Sequence, residues 1–178
     1  MKKVIVFLCL LWSVSVFSQH RMYIGGEAGL SHGGESDISF VRVAPFVGYE
    51  LNDKWDIGLY VAYLSSYQEK KSDKFSLYFA LAPFARYYFK EKGVFQPFIE
   101  SSVGYSFSDQ KINSEKKESK EGFEIGLKPG FCVKLHEKIR LSAKFAFIGY
   151  RKDYLTYENG YIGHFNLNNL DLGLIIDF

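Results

Sequence analysis

The sequence predicts an all-β chain whose eight antiparallel strands close up-and-down into a transmembrane β-barrel. Three observations carry that expectation. Beyond residue 20, bulky apolar residues recur at every second position in eight successive segments. Short turns and longer polar loops alternate between those segments. Aromatic residues make up 18% of the chain while mean hydropathy is −0.09, which excludes both a helical membrane protein and a disordered chain.

Residues 1–18 read as a secretory signal. Lys2 and Lys3 give the positive start, Val4 to Leu11 the apolar stretch, and Val16-Phe17-Ser18 the cleavage site. The stretch is too short to span a bilayer as a helix. The expected organisation is a leader at 1–18, removed on export through the Sec pathway, and a barrel at 19–178. Losing Lys2 and Lys3 brings the 22 basic residues down to the number of acidic ones, 20, so no basic face remains for nucleic acid. Cys9 lies in the leader behind Val6-Phe7-Leu8, which lacks the small residues of a lipid-anchor site. Cys132 is then the only mature cysteine, and no intramolecular disulfide is available.

Strands are predicted near 21–31, 38–51, 55–67, 74–89, 95–108, 122–135, 139–151 and 166–178. The first is the least regular. The second to fifth place Val41/Val43/Val47/Tyr49, Trp55/Ile57/Leu59/Val61/Tyr63, Phe75/Leu77/Phe79/Leu81/Ala85/Tyr87/Phe89 and Phe95/Ile99/Val103/Tyr105/Phe107 on single faces. The last three follow with Phe123/Ile125/Leu127/Phe131/Val133/Leu135, Ile139/Leu141/Ala143/Phe145/Phe147 and Leu170/Leu172/Leu174/Ile176/Phe178. Short turns are expected at 52–54, 90–94 and 136–138. The longer connections are 32–37, 68–73, 109–121 and 152–165, of which 109–121 reads as a mobile solvated loop.

The ionised residues all fall on the opposite face, except Arg151 at the end of the seventh strand. A Lys or Arg facing lipid at mid-depth costs about 2–4 kcal/mol, so this exclusion is what a lipid-facing surface demands. A soluble barrel with an apolar interior would show the same alternation. The lipid reading is favoured because glycines such as Gly25, Gly48, Gly58 and Gly126 share the charged face and suit a narrow interior. Aromatics also gather at strand ends: Tyr49, Trp55, Tyr87, Phe89 and Phe95 at one rim, and Tyr63, Tyr105 and Phe107 at the other. Pro45, Pro83, Pro97 and Pro129 fall on the apolar face inside strands, where bulges or widened pairing are expected.

Together these features resemble the small outer-membrane barrels of the OmpA/OmpX type. The run Ala44-Pro45-Phe46-Val47-Gly48-Tyr49 resembles the outer membrane protein beta-barrel domain families. Leu170, Leu172, Leu174, Ile176 and the terminal Phe178 are similar to the β-signal that the family's assembly machinery reads. The resemblance implies outer-membrane lipid and lipopolysaccharide as surroundings, periplasmic termini and short turns, and extracellular long loops. It does not extend to a peptidoglycan-binding domain, because the chain stops at its last strand.

Eight strands leave an interior just wide enough for side chains. A plugged polar lumen is expected, with Glu27, Glu100, Glu124 and Asp171 balancing Arg42, Arg86, Lys128 and Lys144 in an ion network. The four histidines (His20, His32, His136, His164) form no nucleophile pair or metal-ligand spacing, so neither catalysis nor a cofactor or metal is expected. Asn159-Gly160, with Tyr154, Tyr157 and Tyr161 around it, predicts a hairpin turn. Strands seven and eight would then rise as a tyrosine-rich surface ribbon whose free edge could pair with an extracellular protein. The expected function is a monomeric, non-enzymatic outer-membrane barrel with a structural or adhesion-like surface role. The alternatives are a soluble lipocalin-like barrel binding an apolar ligand, a narrow pore, and a lipid-modifying barrel enzyme.

Overall fold

The structure, a computed structural model, describes residues 22–33, 38–68, 74–90, 93–112, 116–155, 159–165 and 171–178. The predicted leader, Tyr157 and Leu170 lie outside them. The strands are β1 (Met22–Gly33), β2 (Ile38–Glu50), β3 (Trp55–Gln68), β4 (Lys74–Tyr88), β5 (Phe95–Ile112), β6 (Lys116–His136), β7 (Ile139–Lys144), β8 (Ala146–Lys152), β9 (Gly160–Phe165) and β10 (Asp171–Asp177). Each of β1 to β6 pairs antiparallel with the next. β7 and β8 together form the seventh stave along β6, β10 pairs with β7, and β1–β10 pairing closes an eight-stave barrel. β9 lies against β8.

Sidedness is the decisive property. Val43, Leu59, Phe79, Val103, Ile125, Leu172 and Leu174 are exposed outside, whereas Arg86, Glu100 and Glu124 are fully buried inside (0% exposed). A soluble barrel would reverse this. The turn-end rim carries Trp55, Phe89 and Phe95 exposed, with Tyr49 and Tyr87 half-buried. Tyr63, Tyr105 and Phe107 are exposed at the loop end. Rim rings also touch one another, as in Trp55–Tyr87 (centroids 5.0 Å apart) and Tyr105–Phe107 (4.8 Å).

The seventh stave corrects the sequence reading. From Gly130↔Lys144 to Leu127↔Ile148, β6 advances by three residues and its partner by four. This one-residue bulge sits at Phe145–Ala146 beside Pro129, whose carbonyl accepts the Phe145 N–H at 3.3 Å. Side-chain parity flips there. Phe147, expected to face lipid, is buried in the lumen, and Ile148 is exposed instead. Arg151 now points inward, so the single charge that broke the lipid-facing pattern is removed from it.

The other prolines are accommodated differently. Pairs opposite Pro45 (towards β3) and Pro83 (towards β5) are missing while the register on both sides is unchanged. Pro97 sits near the start of β5, where its carbonyl accepts the Phe89 N–H at 3.0 Å. Segment 109–121 also departs from expectation: β5 and β6 continue pairing as a ribbon as far as Ile112↔Lys116. The pairing is carried by backbone hydrogen bonds along two almost wholly polar strands, with Ile112 the one apolar residue in the segment. Finally, the eighth predicted strand (166–178) is strand from Asp171 to Asp177, with 166–170 outside the described residues.

Deletion of Ala146 gives a sharp test of the bulge. Removing that extra residue lets β6 and its partner both advance by three, so Phe147 and Arg151 keep facing inward and the yield of SDS-resistant, heat-modifiable barrel is expected to be retained. Deletion of Ile148, past the bulge, turns Arg151 towards lipid and should lower that yield strongly. Ala146→Ser should leave that yield unchanged on the same gel.

Candidate functional site in the barrel lumen

The lumen holds more than small and charged residues. Phe46, Tyr60, Phe84, Tyr88 and Phe98 are buried within it, Phe46–Tyr60 at 4.8 Å and Tyr60–Phe84 at 4.6 Å between centroids. Room for these rings comes from glycines on neighbouring strands. A Cβ at Gly48 would lie 2.1 Å from the Tyr23 ring, and one at Gly58 2.4 Å from the Phe84 ring. Such contacts are far inside van der Waals distance, so ring and glycine are complementary shapes.

Glu100 is the hub of the charges. Its Oε2 accepts from Arg86 Nη2 at 2.8 Å and Nε at 3.2 Å, and its Oε1 from Lys144 Nζ at 3.1 Å. Lys144 also reaches Glu27 at 2.8 Å. The Tyr60 hydroxyl lies between the two carboxylates, 2.9 Å from Glu27 and 3.0 Å from Glu100, and accepts from Arg86 Nη2 at 3.1 Å. Arg86 is further sandwiched between rings, 4.4 Å from the Phe98 centroid and 5.4 Å from that of Phe84.

The chain of contacts runs on in both directions. Towards the loop end, Arg42 stands 3.9 Å from Glu27 and 2.5 Å from Asp171. Towards the turn end, Arg86 donates to the Tyr88 hydroxyl (3.3 Å), which donates to Asp56 (3.0 Å) and accepts from Arg140 (3.4 Å). Arg140 pairs with Glu50 (3.4 Å) and Asp177. Six of the eight predicted network residues thus belong to one connected system. The other two, Glu124 and Lys128, pair at 2.6 Å and form a separate triad with Arg151, also 2.6 Å from Glu124.

Tyr60, Tyr88, Asp56 and Arg140 were absent from the predicted network. Their parity was legible, since Tyr60 shares a face with Asp56 and Tyr88 with Arg86. Weighting by charge alone hid the hydroxyls. Cys132 is buried and free on the same inner face. At the turn end a cavity of about 310 Å³ opens, lined by Met22, Glu50, Gln96, Lys134, Arg140 and Asp177 among others.

The fourth connection also corrects the sequence reading. Asn159-Gly160 does not make a two-residue turn: β8 ends at Lys152, β9 begins at Gly160, and Gly160 has φ +116. Within that connection the chain turns inward at Tyr154 and Leu155. Tyr154 and Leu155 are buried, so Tyr154 is no part of a surface ribbon. The Leu155 N–H donates to Ser106 Oγ at 3.3 Å. Asn159 holds the loop base, its Oδ1 accepting the Asp153 N–H at 2.6 Å and its Nδ2 donating to Asp153 Oδ1 at 3.2 Å. Asn is serving as a side-chain clamp here, where the dipeptide pattern reads it as a turn residue. Tyr161 is 93% exposed and stacks on Tyr150 at 5.2 Å, and Tyr150 pairs with outward-facing Ile125.

Among the described residues no group of three or more His, Cys, Asp or Glu is placed to hold a metal ion, and His136 is exposed beside the turn at 137–138. Leu172, Leu174 and Ile176, which resemble a β-signal in sequence, are exposed on β10, and Phe178 follows its end.

Among solved structures the chain is similar to Neisserial surface protein A (NspA), with a TM-score of 0.59 and 14% identity over 88% of this chain and 96% of that one. The beta domain of the Bordetella autotransporter BrkA aligns at a TM-score of 0.37 and 11% identity, over 81% of this chain and 63% of that one. No curated protein matches. Residues 5–178 match the family described as outer membrane protein beta-barrel domain, and the chain belongs to that family: it is a transmembrane β-barrel of the outer membrane.

Proposed function

We propose that the protein is a non-enzymatic outer-membrane barrel with a closed lumen, serving a structural or surface-interaction role. The observation that carries this reading is the filling of the interior. Arg86, Glu100, Tyr60, Phe46, Phe84 and Phe98 meet across one cross-section, and all are at least 95% buried. Breaching that layer would strand desolvated charges, so it opposes a standing water column.

In this reading the leader directs export and the termini with the short turns face the periplasm. The assembly machinery reads Leu170, Leu172, Leu174, Ile176 and Phe178 by strand pairing. The rim aromatics sit at the headgroup level, next to lipid and lipopolysaccharide. The long loops face outward, and the β8–β9 ribbon, with Tyr161 on it, is the element offered to an extracellular partner. The barrel acts as a monomer and needs no cofactor.

Two measurements test the proposal. Purified protein should run at a different position on SDS gels before and after boiling, and should give no sustained conductance in planar bilayers. A stable nanosiemens-scale channel would overturn the closed lumen, and recovery in the soluble periplasm would overturn the membrane location.

A further inference from the structure

We propose that residues 153–155 form a hinged lid that closes the loop end of the lumen. The inference rests on the closed-lumen reading above but concerns a different level of the barrel.

The seat for the lid is built into two strands. A Cβ at Gly104 on β5 would fall 2.5 Å from the Tyr154 hydroxyl and 2.6 Å from its ring carbon Cζ. A Cβ at Gly122 on β6 would fall 2.0 Å from the Asp153 carbonyl oxygen. Any side chain at either position would expel the loop. Ser106, two residues along β5 from Gly104 and directly opposite Gly122, receives the Leu155 N–H. The wall is therefore shaped to receive this tripeptide, whose Tyr154 and Leu155 are 4% and 5% exposed.

The hinge is equally local. Asp153 (φ 50) and Leu155 (φ 54) flank Tyr154 in the left-handed region, the only described non-glycine residues with positive φ. Asp tolerates this conformation, but for leucine it is uncommon and strained. On one side of the lid, Arg151 is fixed by Glu124 and by its guanidinium, 3.6 Å from the Phe147 centroid. On the other side Asn159 ties back to Asp153. Arg151 before the lid and Asn159 after it are anchored, and among the described residues the left-handed strain falls on Asp153 and Leu155. Swinging Tyr154 out would relax Leu155 while leaving the barrel wall intact.

Thiol labelling distinguishes a lid from a fixed plug. Ser106 is buried on the inner face of β5 against the lid, on the loop side of Ser102 and its partner Phe84, and the native Cys132 lies fully buried elsewhere in the lumen as an internal control. In Ser106→Cys barrels treated with a negatively charged maleimide, the new thiol should label to completion, roughly a hundredfold slower than a Lys120→Cys rim thiol. Cys132 should stay unlabelled until the barrel is boiled. Adding Gly104→Leu, or Tyr154→Ser if that variant does not assemble, should speed labelling at 106 by about tenfold or more. Labelling at the rim rate in the parent, or no labelling at 106 with or without the lid mutation, would overturn the lid. Neither result touches the closed cross-section, which the conductance measurement tests separately.

Discussion

Replacing Arg86 with methionine is expected to destabilise the barrel by about 3–5 kcal/mol, the range for removing one partner of a buried ion pair. Arg86 is fully buried and binds Glu100, Tyr60 and Tyr88. Methionine fills much of the space between Phe84 and Phe98 but supplies no donor. Among the described residues Glu100 would keep Lys144 as its only cation within 4 Å, and Lys144 is already shared with Glu27. The cost is the penalty for a desolvated carboxylate with too few donors, rather than the net value of the pair.

A double substitution separates those two quantities. Arg86→Met with Glu100→Leu removes both charges, and the loss should be smaller than for Arg86→Met alone. Urea unfolding of barrels refolded into lipid vesicles measures both. Trp55 is the only tryptophan beyond the predicted leader, so its fluorescence reports the transition cleanly. A single-variant loss below about 1 kcal/mol would place Arg86 among groups that water can reach.

Most of this architecture was legible in the primary structure because a lipid-spanning strand obeys a strict period of two. Alternation alone sets Leu59, Ile57 and Val61 on one face and Asp56, Gly58 and Tyr60 on the other. The period says nothing about where it breaks. The bulge at Phe145–Ala146 leaves two faces that both look plausible, because Phe145, Phe147 and Ile148 are all apolar. Only Arg151, out of place at the end of the seventh predicted strand, signals the slip, and past the bulge it turns inward to Glu124. The lid was invisible for a related reason. Tyr154 and Leu155 are apolar residues in a connection, and their burial depends on Gly104 and Gly122, some thirty or more residues away on other strands. Parity identified those glycines as inward-facing, but what occupies the space they leave is a tertiary fact.

Leu59→Arg carries the second large expectation, a loss of about 2–4 kcal/mol, because it places a guanidinium in the middle of the lipid-facing band. Leu59 stands midway along β3 between the rim residues Trp55 and Tyr63. At about 3.3 Å per residue those rims are roughly 26 Å apart along the strand, which leaves arginine in the middle a long way to snorkel in either direction. Its neighbours Val47 and Pro83 are apolar and offer no carboxylate. Phe89→Arg is the matched control. Phe89 lies past the end of β4 and is 61% exposed, so the same side chain there should cost no more than about 1 kcal/mol. The ratio between the two, read from urea unfolding in vesicles, depends on bilayer depth and not on side-chain chemistry. In short-chain detergent micelles, which thin readily around a charge, the gap should narrow. Equal small losses at both positions would mean that Leu59 faces water, and the inside-out arrangement of the barrel would have to be abandoned.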